Sequence, residues 1–276
     1  MCLDGKGGFF SAGSDGYIVH WESSESTTGV LFAQIPEAVY SVSYLPHSNT
    51  ILAGTQFGQL YFLQKKTSPK MVKIATHGIF WILTVPGGNL FVLLGDGQLC
   101  VMSHAGEIRK MVQLSIKSLR YAALTEKGNV LICGSEGVVW EMDTALNILQ
   151  KQKIDDSSIF RVLEWNKQCI YAGRSAKIGQ WNSENEVKKV VDAHWFTIHA
   201  LSVSPNGKWL GSGSMDKSIR LWDEQFNLLK VIDLAKIQGH KSSVNEILWL
   251  SDTEFVSCSD DAHIKCWKVE VQEPQN

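Results

Sequence analysis

Residues 213–222 read GSMDKSIRLW, and 45 residues further along, residues 258–267 read CSDDAHIKCW. Both spell small, small, any, Asp, any, any, aliphatic, any, any, Trp. A motif copied at a fixed interval marks one supersecondary unit repeated along the chain. Five more copies precede these two: GSDGYIVHW (13–21), GTQFGQLYFL (54–63), GDGQLCVM (95–102), GSEGVVWEM (134–142) and AGRSAKIGQW (172–181). Their last residues are Trp21, Leu63, Met102, Met142, Trp181, Trp222 and Trp267, spaced by 42, 39, 40, 39, 41 and 45 residues with a mean of 41. Each is a large apolar side chain, so the position asks for burial.

The sixth copy shows what the unit is. Within residues 194–235, alternation in IHALSV, KWLGSGS, SIRLW and NLLKVID predicts four short strands, and PNGK, MDK and DEQFN between them carry turn chemistry. Four antiparallel strands per period, at a period near 41 residues, describe the blade of a β-propeller. The expected fold is all-β: one domain over residues 1–276, a seven-bladed propeller of four-stranded antiparallel blades.

Composition narrows the function classes. A net charge of −2 with 20 % charged residues argues against a broad polyanion-binding surface, so nucleic acid is not the expected partner. The longest apolar runs, IFWILTV (79–85) and LFVLL (90–94), are strand-length, well short of the roughly 20 residues of a membrane helix. The opening MCLDGKGGFF lacks a charged segment followed by an apolar one. A cytoplasmic location and no membrane partner are therefore expected. Cys2, Cys100, Cys133, Cys169, Cys258 and Cys266 are scattered and form no C-x-x-C pair, which reads as reduced thiols and neither a metal site nor a disulfide framework.

The sixth repeat resembles the WD40 family: Ala193-His194 stands where that family has Gly-His, Ser-Pro-Asn-Gly follows, and the strand closes Leu221-Trp222-Asp223. The seventh carries Gly239-His240 and ends Cys266-Trp267-Lys268, whereas repeats two to five keep the spacing more than the motif. The resemblance implies a structural hydrogen-bond network of His194, Ser212, Asp216 and Trp222 in blade six and of His240, Ser257, Asp261 and Trp267 in blade seven. Blade one keeps Ser11, Asp15 and Trp21 without the His, and blade five has Tyr171 and Ser175 where Ser and Asp belong. A His–Ser–Asp set recurring beside Trp at buried strand positions reads as structural. A catalytic Ser needs an exposed site beside an oxyanion hole.

Aligned on the repeat, the first strand of blade one has only Met1–Asp4 to supply it, and the tail KVEVQEPQN after Trp267 is short and polar. The first and last blades are thus expected to be incomplete. In the family, a segment from the N-terminus usually supplies the outermost strand of the last blade, so residues before Met1 are expected in the native chain.

No P-loop, H-E-x-x-H, EF-hand or G-x-S-x-G signature occurs, and the Gly-rich DGKGG (4–8) and PGGN (86–89) fall at turns. The expectation is a protein without enzymatic activity and without a cofactor. In the family, partners are touched at the mouth of the central channel, by the residue after the first aliphatic of each innermost strand. Here those positions are Tyr40, Phe80, Arg120, Phe160, His199 and Asn245, with Trp81, Tyr121 and Arg161 as neighbours. A second family contact position precedes the turn Asp and falls on Arg174, Met215 and Asp260 among others, while Trp195 follows His194 in a loop where an indole is hard to bury. An aromatic and arginine-rich rim suits a partner peptide or loop carrying carboxylates, and the expected function is a protein-interaction scaffold. The alternative is a small-ligand or enzymatic propeller using the central channel, with His199 and Asp260 as its polar groups. The repeat pattern sets no oligomeric state.

Overall fold

The computed structural model describes residues 1–181 and 187–270, with backbone only at 187 and 188. These residues form seven antiparallel sheets in which each strand pairs with its neighbours in sequence. The sheets span 2–34, 39–73, 79–113, 119–153, 159–192, 198–232 and 244–268, and are blades one to seven in that order. In blade six the strands are Ile198–Val203, Leu210–Ser214, Ile219–Trp222 and Leu228–Ile232, and a single helical turn, Leu234–Ile237, follows. No helix among the described residues is long and apolar enough to cross a membrane.

Incompleteness at the two ends takes different forms. Blade one has four strands, with the innermost cut to Cys2–Leu3, whereas blade seven has three among the described residues. Of the tail expected to be a poor fourth strand, residues 271–276 lie outside the described residues.

The blades are held together by apolar contact across their faces. Six buried clusters each join two successive blades, from Phe10, Ile18 and Ile51 between blades one and two to Ile219, Val244 and Phe255 between six and seven. The strand Asn89–Leu94 shows why its sequence is a continuous apolar run. Leu90, Val92 and Leu94 face blade two, while Phe91 and Leu93 face blade four. A strand buried on both sides has no polar face to alternate with. Outermost strands such as Ile108–Gln113 are largely exposed, and Arg, Lys and Gln appear there.

Blade five departs from the repeat and compensates locally. Tyr171 packs its ring against Trp181, with centroids 5.8 Å apart, and donates its hydroxyl to the Ile154 carbonyl at 3.2 Å. That ring fills the space above Gly179, where an added Cβ would come within 2.2 Å of it. Only glycine accommodates the tyrosine across the strand pair.

Truncating Phe91 to Ala, at full burial between blades three and four, is expected to cost about 3–5 kcal/mol. The exposed Met111→Ala on the outer strand should stay within about 0.5 kcal/mol of the parent. Urea unfolding of both variants checks the contrast.

Candidate functional site

The first strand of a blade begins with a buried aliphatic: Val39, Ile79, Leu119, Ile159, Ile198 or Val244 in blades two to seven. Strand pairing then skips one residue. Val39 pairs with Thr55 and Ser41 with Gly54, leaving Tyr40 unpaired between them. The same skip leaves out Phe80, Arg120, Phe160, His199 and Asn245. This is a β-bulge repeated in six blades, and a bulge re-aims its extra side chain out of the sheet's alternation. On the innermost strand the released direction is the channel mouth. A second repeated contact fixes the mouth's outer edge: the backbone N–H of Gln56, Gly95, Ser135, Arg174, Met215 and Asp260 each donates to the residue preceding the first strand of its blade, at 2.9–3.1 Å.

Five of the six bulge side chains contact one another in sequence around the ring. Tyr40 stacks on Phe80 with centroids 5.6 Å apart. The Arg120 guanidinium lies 4.2 Å from the Phe80 centroid and 5.3 Å from that of Phe160. Phe160 in turn stacks on His199 at 5.4 Å. Five consecutive blades thereby share one ladder of rings and cation, and Asn245 of blade seven donates its amide to Asp260 at 2.6 Å. Burial, with Arg161 and Arg120 nearby, lowers the proton affinity of His199, so its imidazole is neutral at physiological pH.

Trp81 and Arg161 sit a tier below the rim. Each follows a bulge residue and has returned to strand pairing, with Leu93 and Ala172 respectively. Trp81 and Tyr121 have centroids 4.3 Å apart, and the Arg161 guanidinium lies over both, 5.5 and 4.7 Å from their centroids. Arg161 then reaches across the axis to Glu246 of blade seven, Nη2 to Oε2 2.9 Å. A cavity of about 50 Å³ lies beside Trp81 and Glu246. Glu246 was not singled out from the sequence, although it occupies the same place after Asn245 that Arg161 occupies after Phe160. A larger cavity, about 350 Å³, lies between blades four and five, over Leu131, Val139 and Trp181 with Glu141 and Glu164 at its sides.

On blade six the mouth extends outward as an apolar patch. Trp195 is 82 % and Phe196 62 % exposed, and Met215 is 47 % exposed. The backbone beneath them is fixed, since Trp195 N–H donates to Asp216 Oδ2 at 3.1 Å and Met215 N–H to the Thr197 carbonyl at 2.9 Å. Arg174 and Asp260 are likewise exposed at their turns.

The polar networks of blades six and seven share one geometry. His194 places Nδ1 2.9 Å from Asp216 and Nε2 2.8 Å from Ser212 Oγ, and Trp222 Nε1 donates to the same Oγ at 2.9 Å. His240 meets Asp261 at 3.0 Å and Ser257 at 2.8 Å, with Trp267 Nε1 donating to Ser257 Oγ at 2.8 Å. One proton order satisfies every group: indole N–H to serine, serine O–H to Nε2, and Nδ1–H to carboxylate. Ser218 joins blade six, its hydroxyl donating to Asp216 Oδ1 at 2.6 Å. In blade one, Trp21 Nε1 donates to Ser11 Oγ at 2.9 Å, but Asp15 is exposed and accepts from its own turn at Tyr17 N–H. A different pair serves that blade, His20 with Asp4 at 2.9 Å. No group of His, Cys, Asp and Glu among the described residues is arranged to hold a metal ion.

The family model "WD domain, G-beta repeat" matches residues 185–223 and 232–268. The chain is similar to actin-interacting protein 1 of Caenorhabditis elegans, 24 % identical over 291 residues that cover 96 % of this chain and 45 % of that protein. It is also similar to Protein HIRA of Dictyostelium discoideum, 32 % identical over 87 residues, 29 % of this chain and 8 % of that one. The chain thus spans less than half the length of either relative. Among solved structures, the WD40 β-propeller domain of Doa1 superposes with a TM-score of 0.84 over 98 % of this chain and 91 % of that one, at 15 % identity. That likeness concerns the fold.

Two outcomes test the networks. Ser212→Ala strands the His194 ring nitrogen and the Trp222 N–H together, at about 1–3 kcal/mol for each group, measurable as a lowered denaturation midpoint. Burial also holds His194 and His240 below the ordinary value of 6.5. The unfolded chain therefore binds protons first as pH falls through about 6.5, and stability present above that pH is lost below it. Asp261, lowered to about 2 with burial opposing its hydrogen bonds from Lys241 N–H and His240, adds a further loss below about pH 4. The midpoint should fall between neutral pH and about pH 5, and fall less in a His194→Gln, His240→Gln double variant.

Proposed function

We propose that this seven-bladed β-propeller, two of whose repeats match the WD-repeat family model, acts as a non-catalytic protein-interaction scaffold, holding a peptide or loop of a partner protein on the channel-mouth rim. The observation that carries the reading is the ladder Tyr40, Phe80, Arg120, Phe160 and His199, which five blades deliver to one mouth through the same bulge. Aromatic and arginine side chains are the residue types that anchor protein interfaces, and here their backbones are fixed before any partner arrives. Trp195, Phe196 and Met215 extend the contact over blade six, and Arg174, Asn245 and Asp260 complete its polar edge.

A protein partner also suits the class of relative to which the chain is similar, one of which is named for its interaction with actin. The proposal includes a single propeller domain, a cytoplasmic location, and neither nucleic acid nor membrane as principal partner, in line with the net charge of −2. The cavity beside Trp81 and Glu246, about 50 Å³, is small against the roughly 300–1,000 Å³ of ordinary ligand sites, which favours a protein partner over the small-ligand alternative.

Affinity capture with the full chain as bait tests the reading, with Trp195→Ala and Phe160→Ala baits in parallel. Each truncation is expected to weaken capture of the wild-type partner by about 2 kcal/mol or more, roughly 30-fold, while the thermal midpoint of the Trp195 variant stays unchanged. Capture that survives both truncations would exclude this rim as the binding surface.

A further inference from the structure

We infer that the segment held at the mouth is acidic, and that it places an aspartate or glutamate side-chain carboxylate on Arg120, with Arg174 beside it. The inference rests on the protein-binding reading of the rim.

The two tiers of the channel treat their arginines differently. In the lower tier Arg161 is matched by Glu246 at 2.9 Å, so its charge is answered within the fold. In the upper tier, among the described residues, no carboxylate lies within 4.0 Å of Arg120 or of Arg174. Three acids of the turns at this end of the blades are engaged by hydrogen bonds of their own. Glu136 accepts from Ser115 Oγ at 2.5 Å, Asp155 accepts from Ser157 and Ser175, and Asp260 accepts from Asn245. Arg120 is partly buried, and its burial together with the neighbouring Arg174 charge lowers its hold on its proton. A half-desolvated cation facing a second cation is a favourable place for an incoming anion.

Geometry selects the kind of anion. The Arg120 Nε–H is already given to Ser135 Oγ at 3.2 Å, and Phe80 and Phe160 flank the guanidinium at 4.2 and 5.3 Å. The two Nη groups remain, and they form an end-on fork spaced for the two oxygens of one carboxylate. Walls formed by two rings favour a flat group lying in the guanidinium plane over a tetrahedral phosphoryl group, whose oxygens project out of it. Ile116, 85 % exposed in the loop leading into the Arg120 strand, and Tyr40, 50 % exposed, are the apolar neighbours for residues flanking the acid.

The test is selection of a random, unphosphorylated peptide library on the immobilised full chain, followed by anisotropy measurements on the most enriched peptide. Enriched peptides should share an Asp or Glu next to an apolar residue, and Arg120→Gln should weaken binding about 10-fold or more. Replacing the peptide acid by its amide should produce the same loss, with little added loss when both changes are combined. Arg120→Lys, which keeps the charge and loses the fork, should restore only part, and Arg174→Gln, at an exposed site that leaves the fold intact, should give a smaller, salt-sensitive loss.

Peptides that lose binding in Phe160→Ala or Trp195→Ala yet carry no acid and ignore Arg120→Gln would overturn the acidic segment while leaving the rim as the binding surface. Recovery of rim binding only when the peptide carries phosphoserine in place of the acid would overturn the carboxylate assignment. Peptides indifferent to all of these variants would overturn the rim itself.

Discussion

A sheet with two apolar faces cannot stand alone in water, and this constraint orders the whole molecule. Leu90–Leu94 gives alternate side chains to blade two and blade four and keeps none for solvent. Every blade so built requires a neighbour on each side, and repetition about an axis meets the requirement without one large core. Polarity is then pushed to the outermost strands and the turns.

The same constraint brings chemistry to the axis. Once the first aliphatic of each innermost strand is committed to a blade interface, strict alternation would send the residue two positions later to the same face. The bulge breaks that alternation, placing Val39 and Ser41 on opposite faces and freeing Tyr40 between them. Repeated around the ring, it separates two neighbouring positions into two tiers. One tier, with Trp81, Tyr121, Arg161 and Glu246, balances its own charge. The other, with Phe80, Arg120 and Phe160, faces outward with its charge unanswered inside the fold.

The polar networks of blades six and seven serve the indole of the marker residue. Trp222 and Trp267 bring an indole N–H to the end of the third strand of their blades, and serine, histidine and aspartate pass that requirement outward to the loop. Leu63, Met102 and Met142 bring no N–H donor to the same place, so blades two to four need no such chain and pack with apolar side chains alone. In blade six the outward end of the network has a second effect. By holding the Trp195 N–H, Asp216 fixes the loop on which the exposed indole stands.

The period, the marker side chains and the turn chemistry were enough to determine seven antiparallel sheets, six of them four-stranded among the described residues, because each is a local pattern that neighbouring residues enforce on one another. The His–Ser–Trp spacing was legible for the same reason: partners on adjacent strands of one blade stand at fixed offsets in the chain. Position in the repeat also marked Tyr40, Phe80, Arg120, Phe160 and His199 as one set. Only the tertiary structure decided what each does. Arg161 finds Glu246 85 residues away and across the axis, Arg120 finds rings from both flanking blades, and Asp15 turns to solvent. Those outcomes depend on where the ring places side chains from separate blades, and that distance is set by closure about the axis, which no single repeat encodes.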